Sequence, residues 1–204
     1  MENVTAASME WGVAHRALDG GESGDLCVVC PFPGGLLVAA LDGAGHGREA
    51  AEAANTAAKI LESHAEETPI SLMRRCHESL RPTRGAALSL ASFHTSKGVM
   101  SWIGVGNVEG VLLRTGRAGR RAIESLMLHR GVVGHRLPDL ESRLLHVAPG
   151  DTLIFTTDGV AQDFAKVIPP GTPPKRAADL ILARHAKAND DALVVVARCK
   201  ESGS

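Results

Sequence analysis

Apolar runs rich in valine, isoleucine and leucine recur along the chain, and they are bounded by glycine, proline or aspartate. Runs of this kind predict β-strands. Several neighbouring runs are separated by only a few polar or glycine residues, as at 94–97 and 106–110, which favours hairpins and antiparallel pairing. The predicted strands are residues 26–30, 36–41, 86–93, 98–105, 111–114, 152–156 and 192–197.

Three other stretches, 48–64, 71–80 and 175–187, follow the spacing of amphipathic helices. The first is rich in alanine, and we expect its small-residue face to pack on a sheet. Strands, a helix pair, more strands, one helix and a last strand follow one another, which predicts a layered α+β domain. No stretch resembles a long flexible linker, so we expect one domain over 1–200 and a short tail at 201–204.

Composition narrows the possible functions. The chain has 204 residues, 44% of them hydrophobic, which is enough for a substantial core. Its 22 basic and 23 acidic residues give a net charge of -1, which offers no electrostatic reason to bind nucleic acid or an anionic membrane. The longest conspicuous uncharged run, 26–41, is short and contains prolines and glycines, so it does not predict a membrane span.

The start of the chain and its cysteines favour a cytoplasmic protein. Glu2 stands near the N-terminus, and no basic segment leads into an apolar stretch there. Four cysteines are too few for a disulfide scaffold. Cys27 and Cys30 have CxxC spacing, which occurs in zinc and redox sites, but their apolar surroundings favour buried strand cysteines.

Aspartates stand at the ends of several predicted strands. Asp25 comes immediately before the strand at 26–30, and Asp42 follows the strand at 36–41. Asp158 follows the strand at 152–156, and Asp190 and Asp191 precede the last strand. Any one of them has a purely structural explanation, because aspartate caps turns and Asp-Gly is a common turn signal.

Together these aspartates predict a cation site. If folding brings them to one end of the sheets, carboxylates about 4 Å apart repel each other by about 4 kcal/mol per pair and need cations between them. A site of oxygen ligands alone selects Mg²⁺ or Mn²⁺. Gly43 and Gly159 each follow one of the acids, where they would let the backbone approach an ion or would simply form turns.

Four motifs, in this order over nearly the whole chain, resemble those of the PPM family of metal-dependent Ser/Thr phosphatases, also called protein phosphatase 2C. The resemblance is to the bacterial branch of sporulation and stress-response phosphatases, and the length without appended domains is most like its stressosome phosphatases. The motifs are Ser23-Gly24-Asp25, Asp42-Gly43-Ala44-Gly45-His46-Gly47, Gly150-Asp151 through Thr157-Asp158-Gly159, and Asn189-Asp190-Asp191.

The resemblance implies a four-layer α-β-β-α sandwich, with two antiparallel sheets flanked by helices and two Mn²⁺ or Mg²⁺ ions in a cleft at one end. By matching motif, Asp42 would bridge both ions and the Gly43 carbonyl would bind one of them. Asp158 and Asp190 would complete the other ion's site.

Two further acids and a histidine are implied in the same way. Asp25 would bind nearby, directly or through water, and Asp191 is the alternative to Asp190 as the last ligand. The implied reaction is hydrolysis of phosphoserine or phosphothreonine by a water activated between the two metals at Asp42. His46 would protonate the leaving oxygen, or would instead donate to backbone near the start of a helix.

The chain also departs from the family pattern. Many relatives have a phosphate-binding arginine just before the first acidic motif, and Arg16 is only a distant candidate for it. Ala86 stands where a hydroxyl residue is common, Asn107 where an acid is common, and Leu193 where a threonine is common. These departures predict a core site of two metals.

The resemblance further implies a phosphorylated signalling protein as partner, such as a stressosome scaffold or an anti-sigma antagonist protein. Two alternatives remain: a weak or inactive phosphatase-fold module that binds a phosphoprotein, and a metal-dependent hydrolase of small phosphoesters. The basic segment 114–121 predicts an exposed hairpin tip or a docking site for an acidic partner.

Overall fold

Two five-stranded antiparallel sheets, packed face to face, form the centre of the computed structural model. The structure describes residues 9–18, 21–116 and 121–200. The first sheet has the strand order β1-β10-β9-β6-β7, and the second has the order β2-β3-β4-β5-β8. The strands are β1 Met9–Arg16, β2 Asp25–Phe32, β3 Gly35–Gly43, β4 Ala86–His94, β5 Val99–Val105, β6 Glu109–Thr115, β7 Arg121–Ser125, β8 Arg143–His146, β9 Thr152–Thr156 and β10 Ala192–Cys199.

Three helices cover the outer faces of the sheets: α1 Arg48–Ser63, α2 Pro69–Leu80 and α3 Pro174–His185. Helices α1 and α2 pack on the second sheet, and α3 packs on β1 and β10 of the first. Thr68 caps α2, because its hydroxyl oxygen accepts a hydrogen bond from the Ser71 amide at 3.3 Å. No helix in the described part of the chain has the length and apolar character needed to span a bilayer.

The strands are apolar on both faces because each sheet lies between two layers. In β3, Leu36, Val38 and Ala40 belong to the core between the sheets. Leu37 and Leu41 point the opposite way, into the core under α1 and α2. The predicted α+β class and the four-layer α-β-β-α sandwich are therefore confirmed.

All seven predicted strands and three predicted helices are present, with ends shifted by a few residues. Strands β1, β7 and β8 were not predicted. Cys27 and Cys30 lie on β2 as expected, but they are half-buried rather than buried, and they join different cores. The predicted tail at 201–204 and much of the basic segment, residues 117–120, lie outside the described residues.

Candidate active site

Acids from both sheets meet at one end of the sandwich. In the second sheet, Asp25 opens β2 and is the register partner of Asp42 near the end of β3. In the first sheet, Asp158 follows β9, and Asp190 lies just ahead of the neighbouring β10. Because β2 with β3 and β9 with β10 run antiparallel, the end of one strand in each pair lies beside the start of the other.

A cavity of about 470 Å³ opens between these strand ends. Three predicted metal ligands, Asp42, Asp158 and Asp190, line it. Small residues and segments of several loops form the rest of its wall, so the carboxylates are accessible to a ligand. The other lining residues are Ala44, Gly45, Ala87, Gly106, Asn107, Arg130, Gly131 and Val132.

Asp25 is held by a threonine from the opposite sheet. The Thr157 hydroxyl donates to Asp25 Oδ2 at 2.6 Å, and its oxygen accepts from the Leu193 amide at 2.9 Å. Burial, together with repulsion from Asp42 and the neighbouring acids, raises the pKa of Asp25 to about 8 despite the Thr157 hydrogen bond. The Thr157 hydrogen bond lowers the pKa of this carboxyl, but no basic side chain in the described residues adds to that effect.

Asp42 is in a similar position. Burial, followed by repulsion from Asp158, raises its pKa to about 7. The Asn107 amide donates to Asp42 Oδ2 at 3.1 Å and to Asp158 Oδ2 at 2.7 Å. The Asn107 side chain therefore links carboxylates of the two sheets.

The structure distinguishes the two adjacent acids at 190 and 191. Both carboxylate oxygens of Asp191 accept main-chain hydrogen bonds, from the Leu18 amide at 2.7 Å and from the Gly24 amide at 2.8 Å. Asp191 therefore fastens the segment before β2 to the start of β10. Asp190 is exposed and lines the cavity.

Glycine at position 43 is required by the close approach of α1. A Cβ there would lie 2.0 Å from the Ala50 carbonyl oxygen, so any side chain would push the first turn of the helix away from β3. Glycine is required at position 159 for the same reason, since a Cβ there would lie 1.6 Å from the Asp191 carbonyl oxygen. His46 is exposed in the loop between β3 and α1, and it is not among the described residues that line the cavity.

Two basic side chains fix the loop that carries Asp158. Lys187 Nζ donates to the Asp158 carbonyl at 2.6 Å, and the Lys187 amide donates to the Gly159 carbonyl at 2.7 Å. Arg16 in turn donates to the Lys187 carbonyl. Arg16 therefore supports the main chain behind the site and does not line the cavity among the described residues.

Asp151, which belongs to one of the quoted motifs, lies at the opposite end of β9 from Asp158. It is buried and accepts hydrogen bonds from the Thr115 amide at 2.8 Å, the Ala148 amide at 3.1 Å and Arg114 Nη1 at 3.1 Å. This aspartate therefore stabilises the sandwich away from the cavity.

Three residues of the site were not predicted from the sequence. Thr157 was quoted only as part of a motif, Asn107 only as a departure, and Arg130 not at all. Thr157 carried a recognisable signal, since it lies between a buried strand and Asp158-Gly159. Arg130 carried none, because it follows a short, polar edge strand and belongs to no periodic pattern.

The donor set fits divalent cations such as Mg²⁺ or Mn²⁺. Its side-chain donors are carboxylate oxygens, and the pKa values of Asp25 and Asp42 are raised first by burial and then by repulsion from the neighbouring acids. In the described residues, no three His, Cys, Asp or Glu side chains are grouped closely enough to hold an ion by themselves.

Comparison with known families gave a match over most of the chain. A family model described as Stage II sporulation protein E (SpoIIE) matches residues 33–200. A comparison with curated proteins gave no match.

Solved structures share the fold. A protein from a study of the bacterial stressosome, described as a modular system adapted to control secondary messenger signalling, is 29% identical with a TM-score of 0.83, covering 93% of this chain and 99% of its own. RsbX in complex with magnesium is 20% identical with a TM-score of 0.83, covering 97% of each chain.

The phosphatase domain of SpoIIE from Bacillus subtilis, solved with a fragment of its regulatory domain, is 23% identical with a TM-score of 0.72. The match covers 96% of this chain and 64% of that one. The resemblance predicted from the four motifs, including the similarity to RsbX in fold, is confirmed.

Proposed function

The chain belongs to the SpoIIE family of PP2C-type protein serine/threonine phosphatases, and we propose that it hydrolyses phosphoserine or phosphothreonine on a bacterial stress-signalling protein. The observation that carries this proposal is the open cavity lined by Asp42, Asp158 and Asp190, which come from both sheets. A cavity of this kind can admit a phosphorylated side chain projecting from a protein surface.

A stressosome scaffold or an anti-sigma antagonist protein is the substrate class we favour. Support comes from the stressosome protein that is 29% identical over 93% of this chain, and from the shared fold with RsbX. The specific partner would be identified by its phosphorylated serine or threonine.

Two Mn²⁺ or Mg²⁺ ions form part of the proposal. Asp42 would bind both ions and the Gly43 carbonyl one of them, while Asp158 and Asp190 would complete the other site. Bound there, the ions would lower the pKa of a water molecule and neutralise negative charge on the phosphoryl group. We assign the last ligand to Asp190, because both oxygens of Asp191 accept main-chain hydrogen bonds.

The chain's own residues would orient these ligands. Thr157 fixes one oxygen of Asp25, leaving the other for an ion or an ordered water. Asn107 holds Asp42 and Asp158 near each other across the two sheets. Protonation of the leaving oxygen by His46 stays a prediction.

The proposal includes one phosphatase domain over residues 1–200, working in the cytoplasm. The four cysteines are free, which suits a reducing compartment. Membranes and nucleic acids are not expected partners.

The test is hydrolysis of para-nitrophenyl phosphate and of a phosphoserine peptide with Mn²⁺, with Mg²⁺ and with EDTA. We expect activity that requires metal and falls at least about a hundredfold in Asp42→Asn, because a ligand to both ions is lost. Asp179→Asn, an exposed change on α3, is the matched control. A phosphotyrosine peptide and a nucleotide test selectivity.

Metal-dependent hydrolysis of para-nitrophenyl phosphate, with faster hydrolysis of the nucleotide than of the phosphoserine peptide, would contradict a protein substrate. No hydrolysis with any metal by a folded protein that still binds the phosphopeptide would contradict the enzymatic proposal. It would instead favour a phosphoprotein-binding module.

A further inference from the structure

Arg130 brings a positive charge to a cavity lined mainly by acids and small residues. Among the described lining residues it is the single arginine or lysine. It lies in the segment between β7 and β8, which is far in sequence from every motif that carries the carboxylates. Its presence in the cavity is therefore a result of tertiary structure alone.

The main chain around Arg130 is firmly held. The His129 amide donates to the Gly104 carbonyl at 2.9 Å, and the His129 carbonyl accepts from the Gly106 amide at 3.0 Å. Farther along, Val133 and Ala86 exchange two hydrogen bonds, at 2.9 and 3.0 Å. The base of the Arg130 side chain is thus fixed to the β5 end and the β4 start, beside the cavity.

The Arg130 side chain is exposed, and its guanidinium makes no hydrogen bond or ion pair with any other residue in the described ranges. Three other basic side chains near the site bind protein groups instead. Arg84 pairs with Glu49, Arg16 donates to a carbonyl, and Lys187 donates to the carbonyl of Asp158. Among the described residues that line the cavity, Arg130 is thus the basic group left to meet a ligand.

A phosphate monoester has a specific need for such a group. Its charge at neutral pH is close to -2, and the carboxylates that line the cavity repel it. A guanidinium presents N–H donors in a planar fork that matches two phosphoryl oxygens, and such charge-assisted pairs are stronger than neutral hydrogen bonds. An arginine at the cavity wall therefore offsets the repulsion and orients the phosphoryl group.

We propose that Arg130 binds the phosphoryl oxygens of the substrate, and of the phosphate product, in this cavity. The inference rests on the proposed function and extends it, because it assigns phosphate binding to the segment between β7 and β8. Arg130 takes the role for which the sequence offered only Arg16. Its ligand class is the phosphate monoester dianion.

Direct binding of inorganic phosphate to the Mn²⁺-loaded protein, measured by calorimetry, is the first test. We expect Arg130→Ala to weaken phosphate binding about tenfold or more, and Arg130→Lys to weaken it less, since a lysine keeps the charge but loses the fork. Arg136→Ala is the matched control: Arg136 is exposed on the same segment but does not line the cavity.

Steady-state kinetics with para-nitrophenyl phosphate give a second readout. Arg130→Ala should raise KM about tenfold or more with a smaller change in kcat, while Mn²⁺ affinity and the thermal unfolding midpoint stay close to wild type. These two controls separate loss of a phosphate contact from loss of metal or fold.

The proposal is overturned if wild type binds no phosphate, if Arg130→Ala binds it as wild type does, or if Arg136→Ala loses as much. It stands if phosphate binding depends on Arg130 even where no phosphomonoester is hydrolysed, and in that case only the proposed function fails. If para-nitrophenyl phosphate is hydrolysed with the same KM by wild type and Arg130→Ala, the proposed function stands and the proposal for Arg130 fails.

Discussion

Asp25 and Asp42 are buried carboxyls with other acids around them. Burial is the larger cause of their raised pKa values, about 8 and about 7, and repulsion among the acids adds to it. Each therefore holds a proton in the folded chain over a pH range in which the same carboxyl of the unfolded chain, with a pKa near 3.8, has lost it.

This difference sets the pH dependence of stability in the absence of divalent ions. Between pH 4 and about 8 the folded chain binds more protons than the unfolded chain, so these two groups make the free energy of unfolding fall as pH rises. The slope is at most about 1.4 kcal/mol per pH unit for each proton. Urea unfolding in EDTA at several pH values measures it.

Asp25→Asn isolates this effect, because it removes the charge and keeps an oxygen to accept from Thr157. We expect the variant to lose less stability than wild type between pH 5 and pH 8. Asp179→Asn, on the surface of α3, should follow wild type. Parallel curves for Asp25→Asn and wild type would show that Asp25 is ionised in the folded chain throughout this range.

The sequence predicted the acids of the site better than their partners. The aspartates follow from strand ends, which apolar runs reveal directly. Whether Asp190 or Asp191 faces the cavity depends on the amides of Leu18 and Gly24, which are distant in sequence. Asn107 and Arg130 reach the site through hairpin and loop geometry, which leaves no local pattern.

At the scale of elements, the strands that the sequence failed to predict are edge strands. β1 and β7 are the two edges of the first sheet, and β8 is an edge of the second. These three edge strands mix polar with apolar residues, as in the β8 sequence RLLH, so no apolar run marks them. The remaining edge strand, β2, packs under α1 and was predicted from its apolar run. The central strands, covered on both faces, were all predicted.

The packing of α1 on β3 affects the site, because Gly43, the residue that follows Asp42, lies against α1 at Ala50. Gly43→Ala places a methyl carbon 2.0 Å from the Ala50 carbonyl oxygen, so the helix or the strand must move. We expect a loss of about 1–3 kcal/mol in the free energy of unfolding, together with weaker Mn²⁺ binding, since Asp42 moves with the strand.

Gly21→Ala is the control for this change. A Cβ at Gly21 would lie 3.8 Å from its nearest neighbour, the Leu18 carbonyl oxygen, which is an ordinary contact. Urea unfolding and calorimetric Mn²⁺ titration of both variants make the comparison. Equal free energies of unfolding for Gly43→Ala and Gly21→Ala would show that α1 can move away from β3 without loss of stability.

At the scale of the whole molecule, the site lies where the two sheets meet. Asp25 and Asp42 belong to the second sheet, whereas Asp158 and Asp190 belong to strand ends of the first. The Thr157 and Asn107 side chains already join the sheets there. Ions held between these acids would therefore connect the two halves of the sandwich.

Such a connection predicts that Mn²⁺ stabilises the entire fold. At a free concentration one hundred times the dissociation constant, a ligand that binds only the folded chain contributes about 2.7 kcal/mol. For a domain of this size that raises the unfolding midpoint by roughly 5–10 °C. Asp42→Asn and Asp158→Asn, one from each sheet, should both reduce the shift, while Asp179→Asn should keep it. A shift that survives in both site variants would place the stabilising ion elsewhere, and a shift lost in only one would mean that ions bind to one sheet without bridging to the other.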